Sequence, residues 1–273
     1  MNVALVSGAN GGLGTAVLSE LLYAGWRVVA VVRGGADRLA PGFRDPIADG
    51  RLVVRDVDLG TWDGAPLVDG PLHALVHIAG SSCYGSSSDI PVAEVRALLE
   101  LNVVSAYALV HAHLPQLAEG RGVVVQTSSL AAAVPVPWLG IYRATKAALE
   151  AWSASLRQEL APLGIDVYCV QPGSFRTGVA SRLRFVPPLR LPALLDSFHR
   201  FERLVRGPGL DAGADPARFA ALVVHLLSRR PAALTHRIGP GSALVALLVL
   251  LPATWCARLI RTATHHLEAA HAR

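Results

Sequence analysis

The opening stretch, Val3-Ala-Leu-Val-Ser-Gly-Ala-Asn-Gly-Gly-Leu-Gly14, leaves few folds open to this chain. Val3 to Ser7 reads as a short apolar strand, and Thr15 to Ala24 sets Val17, Leu18, Leu21 and Leu22 at helical spacing. Between them lie Gly8, Gly11, Gly12 and Gly14, with Asn10 and Leu13 interspersed. Glycines let a backbone come close to a pyrophosphate, and the start of the following helix offers free N–H groups and a positive dipole end to hold it. The spacing differs from the G-x-G-x-x-G dinucleotide fingerprint, but the strand–turn–helix setting is the same.

Further apolar runs follow at Arg27–Val32, Arg51–Val54, Ala74–Ile78, Val123–Thr127 and Asp166–Val170, with Thr235–Ile238 as a last candidate. Helical patterns separate them, so an α/β fold is predicted: a doubly wound, mostly parallel Rossmann-type sheet. No linker or repeat interrupts the chain, and 1–273 is read as one domain. The strand ends carry the candidate ligand contacts. Arg33 follows the second strand with no carboxylate beside it, which favours the 2′-phosphate of NADP over the ribose of NAD, Asp37 being the alternative that would reach a ribose. Asp56, with Val57 next, is placed to accept an adenine amine or to cap a helix. Ala79-Gly80 leaves room for a ligand, and the Pro172-Gly173 turn, with Thr177 beyond it, could meet a carboxamide.

The reacting groups are expected between Ser129 and Lys146. Ser129 stands just past a buried strand, and Tyr142 and Lys146 lie one turn apart on the helix Tyr142–Leu160. An ammonium beside a phenol favours the phenolate, so the tyrosine is expected to titrate below about 10 and to pass a proton. Asn102 falls inside the helical run Val92–Leu114, where its amide needs partners.

Of 25 basic residues only Lys146 is a lysine, and the net charge is +5 with no basic block. Nucleic-acid binding therefore has little support. Apolar residues make up 52% and charged ones 16%, as in a well-packed globular chain. Cys83, Cys169 and Cys256 show neither metal-ligand nor redox spacing, so no metal is expected and the thiols read as reduced and cytoplasmic. The start of the chain lacks a basic signal-peptide region, and the most apolar run, Ala243–Leu251, has nine residues against the roughly 20 a bilayer span needs. Residues 181–213, with Arg182, Arg184, Arg190 and the face Phe198, Phe201, Leu204, are read as a substrate lid. The tail 241–273, which carries Arg258, Arg261, His265 and His266, is read as a buried closing helix or dimer contact, with membrane-surface contact or a lipophilic substrate as the alternative.

Taken in order, these residues resemble the classical short-chain dehydrogenase/reductase family over Val3 to Thr177. Ser7-Gly8 to Gly14 is similar to its Thr-Gly-x-x-x-Gly-x-Gly loop, and His77-Ile78-Ala79-Gly80 stands where it has Asn-Asn-Ala-Gly. Asn102, Ser129, Tyr142 and Lys146 match its catalytic tetrad, with spacings of 27 and 13 between the first three, which selects Ser129 over Ser128. The resemblance implies a cofactor held by Ser7, Gly8, Asn10, Gly11, Gly12, Leu13, Gly14, Arg33, Asp56, Val57, Ala79, Gly80, Pro172, Gly173 and Thr177, with Asn102, Tyr142 and Lys146 shared with catalysis. It implies reversible hydride transfer between a nicotinamide and a small-molecule carbonyl or secondary alcohol, while the apolar content of helices Val92–Leu114 and Tyr142–Leu160 points to homodimers or homotetramers. The tail is loosely similar to the hydroxysteroid and retinol dehydrogenase branch. Alternatives that share the pattern are a β-ketoacyl thioester reductase and a non-catalytic dinucleotide sensor. His77-Ile78 removes amides that brace the central strand in the family.

Overall fold

A computed structural model describes residues 1–178, 183–207 and 213–270, with the backbone alone at Leu204 and 263–270. Seven strands form one wholly parallel sheet: β1 (Val3–Ser7), β2 (Arg27–Val32), β3 (Leu52–Asp56), β4 (Ala74–His77), β6 (Val123–Thr127), β7 (Asp166–Pro172) and β9 (Thr235–Ile238). A separate parallel pair is formed by β5 (Cys83–Gly85) and β8 (Arg184–Val186). The large sheet runs β3-β2-β1-β4-β6-β7-β9. Its order reverses between β1 and β4, and the crevice at such a reversal is where open α/β sheets take their ligands.

The strands read as nearly unbroken apolar runs because both faces are covered. On one face Val6, Val28, Val76 and Val125 pack with Val17, Leu18 and Leu21 of α1 (Gly12–Tyr23) and with Phe219 and Val223 of helix Pro216–Arg229. On the other, Leu5, Val29, Leu75 and Val124 meet Leu109 and Leu117 of the helices before β6 and Leu156 and Leu160 of helix Gly140–Leu160. Helix α1 begins at Gly12 rather than Thr15, so Leu13 and Gly14 belong to its first turn.

The expected helix Val92–Leu114 is three segments: Val92–Leu99, a π-helical turn Glu100–Val104, and Ser105–Ala112. It stops at His113, whose ring bonds the Leu109 carbonyl at 2.8 Å and accepts the Leu67 N–H at 2.8 Å, and Pro115 then opens the next helix. Val92–Ala112 is long and apolar enough to cross a membrane by length and composition. Its buried Asn102 is nevertheless bonded to the domain, as described below.

The bracing of the central strand differs from the expectation that His77 weakens it. Ser7 Oγ lies 2.8 Å from His77 Nδ1 and accepts N–H groups from Ile78 (3.2 Å) and Ala79 (3.3 Å). A hydroxyl that accepts twice has its one hydrogen left to donate, so it donates to Nδ1 and the His77 proton sits on Nε2. Burial first, and the Lys146 charge second, push the His77 pKa down to about 3, so the ring stays neutral. One serine thus ties β1 to β4 beneath the crevice. Ser7→Ala should lose about 1–3 kcal/mol in urea unfolding, because three buried groups lose a partner, whereas Ser7→Thr should stay within about 1 kcal/mol of the parent. Equal midpoints for the alanine and threonine variants would show that the tie carries no stability.

Candidate active site

The glycine loop forms the floor of the crevice. Gly8 has φ +65°, and a Cβ there would lie 2.6 Å from the Ala79 nitrogen; one at Gly14 would lie 2.2 Å from the Gly8 carbonyl. The loop therefore closes on bare backbone. Its N-cap residue, Gly11, makes no side-chain cap and the first turn of α1 carries no acid, which leaves the positive helix end free for an anion. Across the crevice, Thr177 lies against Gly12, and Gly173 donates its N–H to the Ile238 carbonyl at 2.8 Å. The Pro172 to Thr177 turn and the glycine loop are thus brought together, as the sequence predicts. This cradle fits a dinucleotide pyrophosphate.

At the adenine end, Asp56 neither caps a helix nor stands free: its Oδ1 accepts the Gly34 N–H at 2.8 Å, and Val57 follows with its N–H on the Val32 carbonyl. Arg33 is 77% exposed with only a 3.6 Å pairing to Asp58. Arg38, which sequence reasoning passed over, folds its side chain back towards Gly34, so two guanidinium groups flank the end of β2. Asn10 is half-buried within the loop.

The tetrad residues come together from three elements. Asn102, fully buried in the π turn, accepts the Ser81 N–H at 2.8 Å and donates to the Ser81 carbonyl and to Thr145 Oγ1, both at 2.9 Å. π turns recur at functional sites, and this one carries Asn102 into the sheet end. Lys146, 4% exposed, donates to the Thr127 carbonyl at 2.8 Å, and its Nζ is 6.0 Å from the centre of the Tyr142 ring. Gly80 leaves space beside Asn102 Oδ1 and Lys146 Nζ that a Cβ would close to 3.0 and 3.3 Å. Ser129 Oγ accepts the Ala131 N–H at 3.1 Å, and Ser129 is the polar side chain that lowers the Tyr142 pKa. Ser128 turns away, donating to Glu150 Oε1.

The electrostatics correct one expectation. Burial raises the Tyr142 pKa above 10, and the hydrogen bond from Ser129 lowers it by less. The ammonium does not decide the balance, because Lys146 is held at Thr127 and is itself depressed. Burial lowers Lys146 to about 8, against smaller opposing effects of Cys169 and Glu150. Glu150, which also accepts Gln171 Nε2 at 2.7 Å, gave no motif to find it by.

A further set gathers Phe198 and Phe201 of the expected lid face with Tyr84, Phe185 and Trp138, which no sequence pattern joins to them. Tyr84 of β5 stacks on Phe185 of β8 at 5.1 Å and sits 6.0 Å from Phe201, while Trp138 meets Phe198 edge-on at 5.3 Å. Trp138 holds φ +64°, an uncommon conformation for a bulky residue. Burial and the nearby Tyr142 push Tyr84 up to about 12. Arg184 and Arg190 anchor this segment through Glu94 and Asp89. Ser181, Arg182 and 208–212, part of the expected lid, lie outside the described residues, as do the side chains of Leu204, His265 and His266.

A dinucleotide cradle at a sheet reversal, beside a Ser–Tyr–Lys–Asn cluster, defines a nicotinamide-type oxidoreductase architecture. The short chain dehydrogenase family matches residues 2–185, and the chain belongs to that family. It is 34% identical over 177 residues to the uncharacterised oxidoreductase YbbO of Escherichia coli K12, a match covering 63% of this chain and 65% of that one. It is 29% identical over 182 residues to the NADPH-dependent 1-acyldihydroxyacetone phosphate reductase of Schizosaccharomyces pombe, covering 65% and 61%. These matches span less than two thirds of either relative. A short-chain dehydrogenase from Streptomyces avermitilis superposes with a TM-score of 0.75 at 27% identity, over 99% of this chain and 97% of that one.

Because Lys146 is the sole lysine, its titration can be watched alone. Protein labelled with 13C at the lysine ε-carbon should show one signal with a midpoint near 8; a midpoint near 10.5 would show that the ammonium is not desolvated. A depressed base binds fewer protons folded than unfolded between pH 8 and 10.5, so this group's contribution to stability rises with pH across that window.

Proposed function

We propose that this chain is an NADP(H)-dependent oxidoreductase that interconverts a carbonyl and a secondary alcohol on a lipophilic small molecule. The single observation that carries the reading is buried Lys146, bonded to the Thr127 carbonyl, with its Nζ 6.0 Å from the centre of the Tyr142 ring and open space beside it at Gly80. Nicotinamide would supply the hydride chemistry when bound. Tyr142 then handles the proton at the substrate oxygen. With a pKa above 10 it is a phenol at neutral pH, hence a ready donor for carbonyl reduction. Ser129 shares the same oxygen, stabilising charge as it develops. Lys146 holds the ribose side of the cofactor, and Asn102, already bonded to Ser81 and Thr145, keeps the π turn in place for proton resupply.

Arg33 and Arg38 support the preference for NADP, since Asp56 is spent on Gly34 and no other carboxylate ends β2. The substrate class is supported by the aromatic wall of Tyr84, Phe185 and Trp138, and relatives named as NADPH-dependent reductases, the 1-acyldihydroxyacetone phosphate reductase above and a 3-dehydrocapnine reductase from Ornithobacterium rhinotracheale, support carbonyl reduction. The segment 183–207 would serve as the lid.

NADPH oxidation with a panel of ketones of rising chain length tests the reading directly. Tyr142→Phe should lower kcat by about 10²–10⁴-fold with cofactor affinity unchanged; unaltered turnover would remove Tyr142 from the chemistry. Alcohol oxidation should speed up as pH rises towards the raised phenol pKa, while carbonyl reduction slows. Arg33→Gln should weaken NADPH about tenfold and leave NADH unaffected, an equal effect on both cofactors being the result that contradicts a phosphate contact.

A further inference from the structure

We propose that the C-terminal helical pair, Ser242–Leu248 and Ala253–Ala270, is a seat for an anionic lipid surface. The pair has two unlike sides. Inward, Val245 and Cys256 are buried against Leu130 and Val134. Outward, Leu244, Leu247, Leu250 and Trp255 are 60, 66, 79 and 60% exposed. Leu244 and Leu247 on the first helix, and Trp255 and Leu259 on the second, are spaced three and four apart, so each helix carries an exposed apolar stripe on its own side of Pro252. Single exposed leucines are ordinary, but a run of this extent marks an interaction surface.

Charge selects what covers it. On the pair itself Arg258 and Arg261 stand exposed on the same helix as Trp255, and the sequence has one acidic residue there, Glu268, near the far end. The helix packed against it, Leu195–Arg206, adds Arg200, Arg203 and Arg206 against Asp196 and Glu202, and Glu202 is already paired with Arg206 at 2.9 Å. An anionic bilayer satisfies both halves: leucine and tryptophan enter the boundary between headgroups and acyl chains, and arginines rest on phosphates. The first helix has seven residues and Pro252 ends the run, so the contact lies in the plane of the surface rather than across it.

Behind this surface is a cavity of about 410 Å³, walled by Leu248, Leu251 and Cys256 on the tail and by Ala133, Pro135 and Arg143 on the body. The body wall is the segment joining Ser129 to Tyr142, which sets the seat beside the proposed chemistry. The docking itself requires no turnover.

Co-sedimentation of the full chain with vesicles of phosphatidylcholine, or of phosphatidylcholine mixed with phosphatidylglycerol, decides the matter. The protein should pellet with the mixed vesicles and about tenfold less with phosphatidylcholine alone or in high salt. Leu247→Glu with Leu250→Glu should lower binding to the mixed vesicles by more than about tenfold, with circular dichroism and thermal midpoint unchanged. Arg258→Gln with Arg261→Gln should lower it by roughly tenfold and remove the salt dependence. No pelleting with either vesicle, or equal pelleting of the Leu247→Glu, Leu250→Glu chain, overturns the proposal. So does light scattering in which that same double substitution splits a dimer, since the stripe would then be a subunit contact. Loss of NADPH turnover by an intact, vesicle-bound protein would count against the oxidoreductase reading alone.

Discussion

Lys146 is a charge placed where charges are costly, and the site is arranged around keeping it there. Its ammonium is nearly closed off from solvent and is held by the carbonyl that ends β6. A buried cation needs polar partners or it neutralises, and both happen in part: Thr127 accepts its hydrogen bond, and its pKa falls. The same bond pins helix Gly140–Leu160 to the sheet. Tyr142 and Ser129 consequently meet at a fixed distance from the glycine loop. Asn102 extends the anchorage to a third element, since its amide joins the π turn to Ser81 after β4 and to Thr145 on the helix.

Much of this was legible because it is local. A strand that runs into a glycine turn, and a Tyr and Lys one turn apart, are spacings a sequence displays directly, and β1, β2, β6 and β9 fall where the residues predict them. What escaped depends on distance along the chain or on burial. The pairing of β5 with β8 joins Tyr84 to Phe185 across a hundred-residue gap, and no periodicity announces a three-residue strand. The π turn is set by tertiary demand on Asn102, because the residues Glu100–Val104 would equally suit an ordinary helix. The sign of the Tyr142 shift was misjudged for a related reason. Adjacency on a helix reveals that a charge is near, but not how much water the fold removes from the phenol.

Departures from the family pattern also find local repair. Where amides brace the central strand in relatives of this type, a serine and a neutral histidine do so here, with Ser7 serving two backbone N–H groups as well. The sheet face beneath helix Gly140–Leu160 is correspondingly polar. His77 Nε2, the Gln126 amide and Gln171 Oε1 are buried with no protein partner among the described residues. Such groups are uncommon in interiors, and they lie towards the carboxyl ends of β4, β6 and β7, where the apolar packing of that face gives way to polar side chains.

The root of the tail packs against the turn that follows β7. Gly173 accepts no side chain because a Cβ would come within 2.1 Å of the Pro240 carbonyl, and its N–H is bonded to Ile238. Helix Ser242–Leu248 begins two residues beyond that contact, so the close of the chain and the turn after β7 share one glycine that admits no substitute, and neither can be rebuilt without the other.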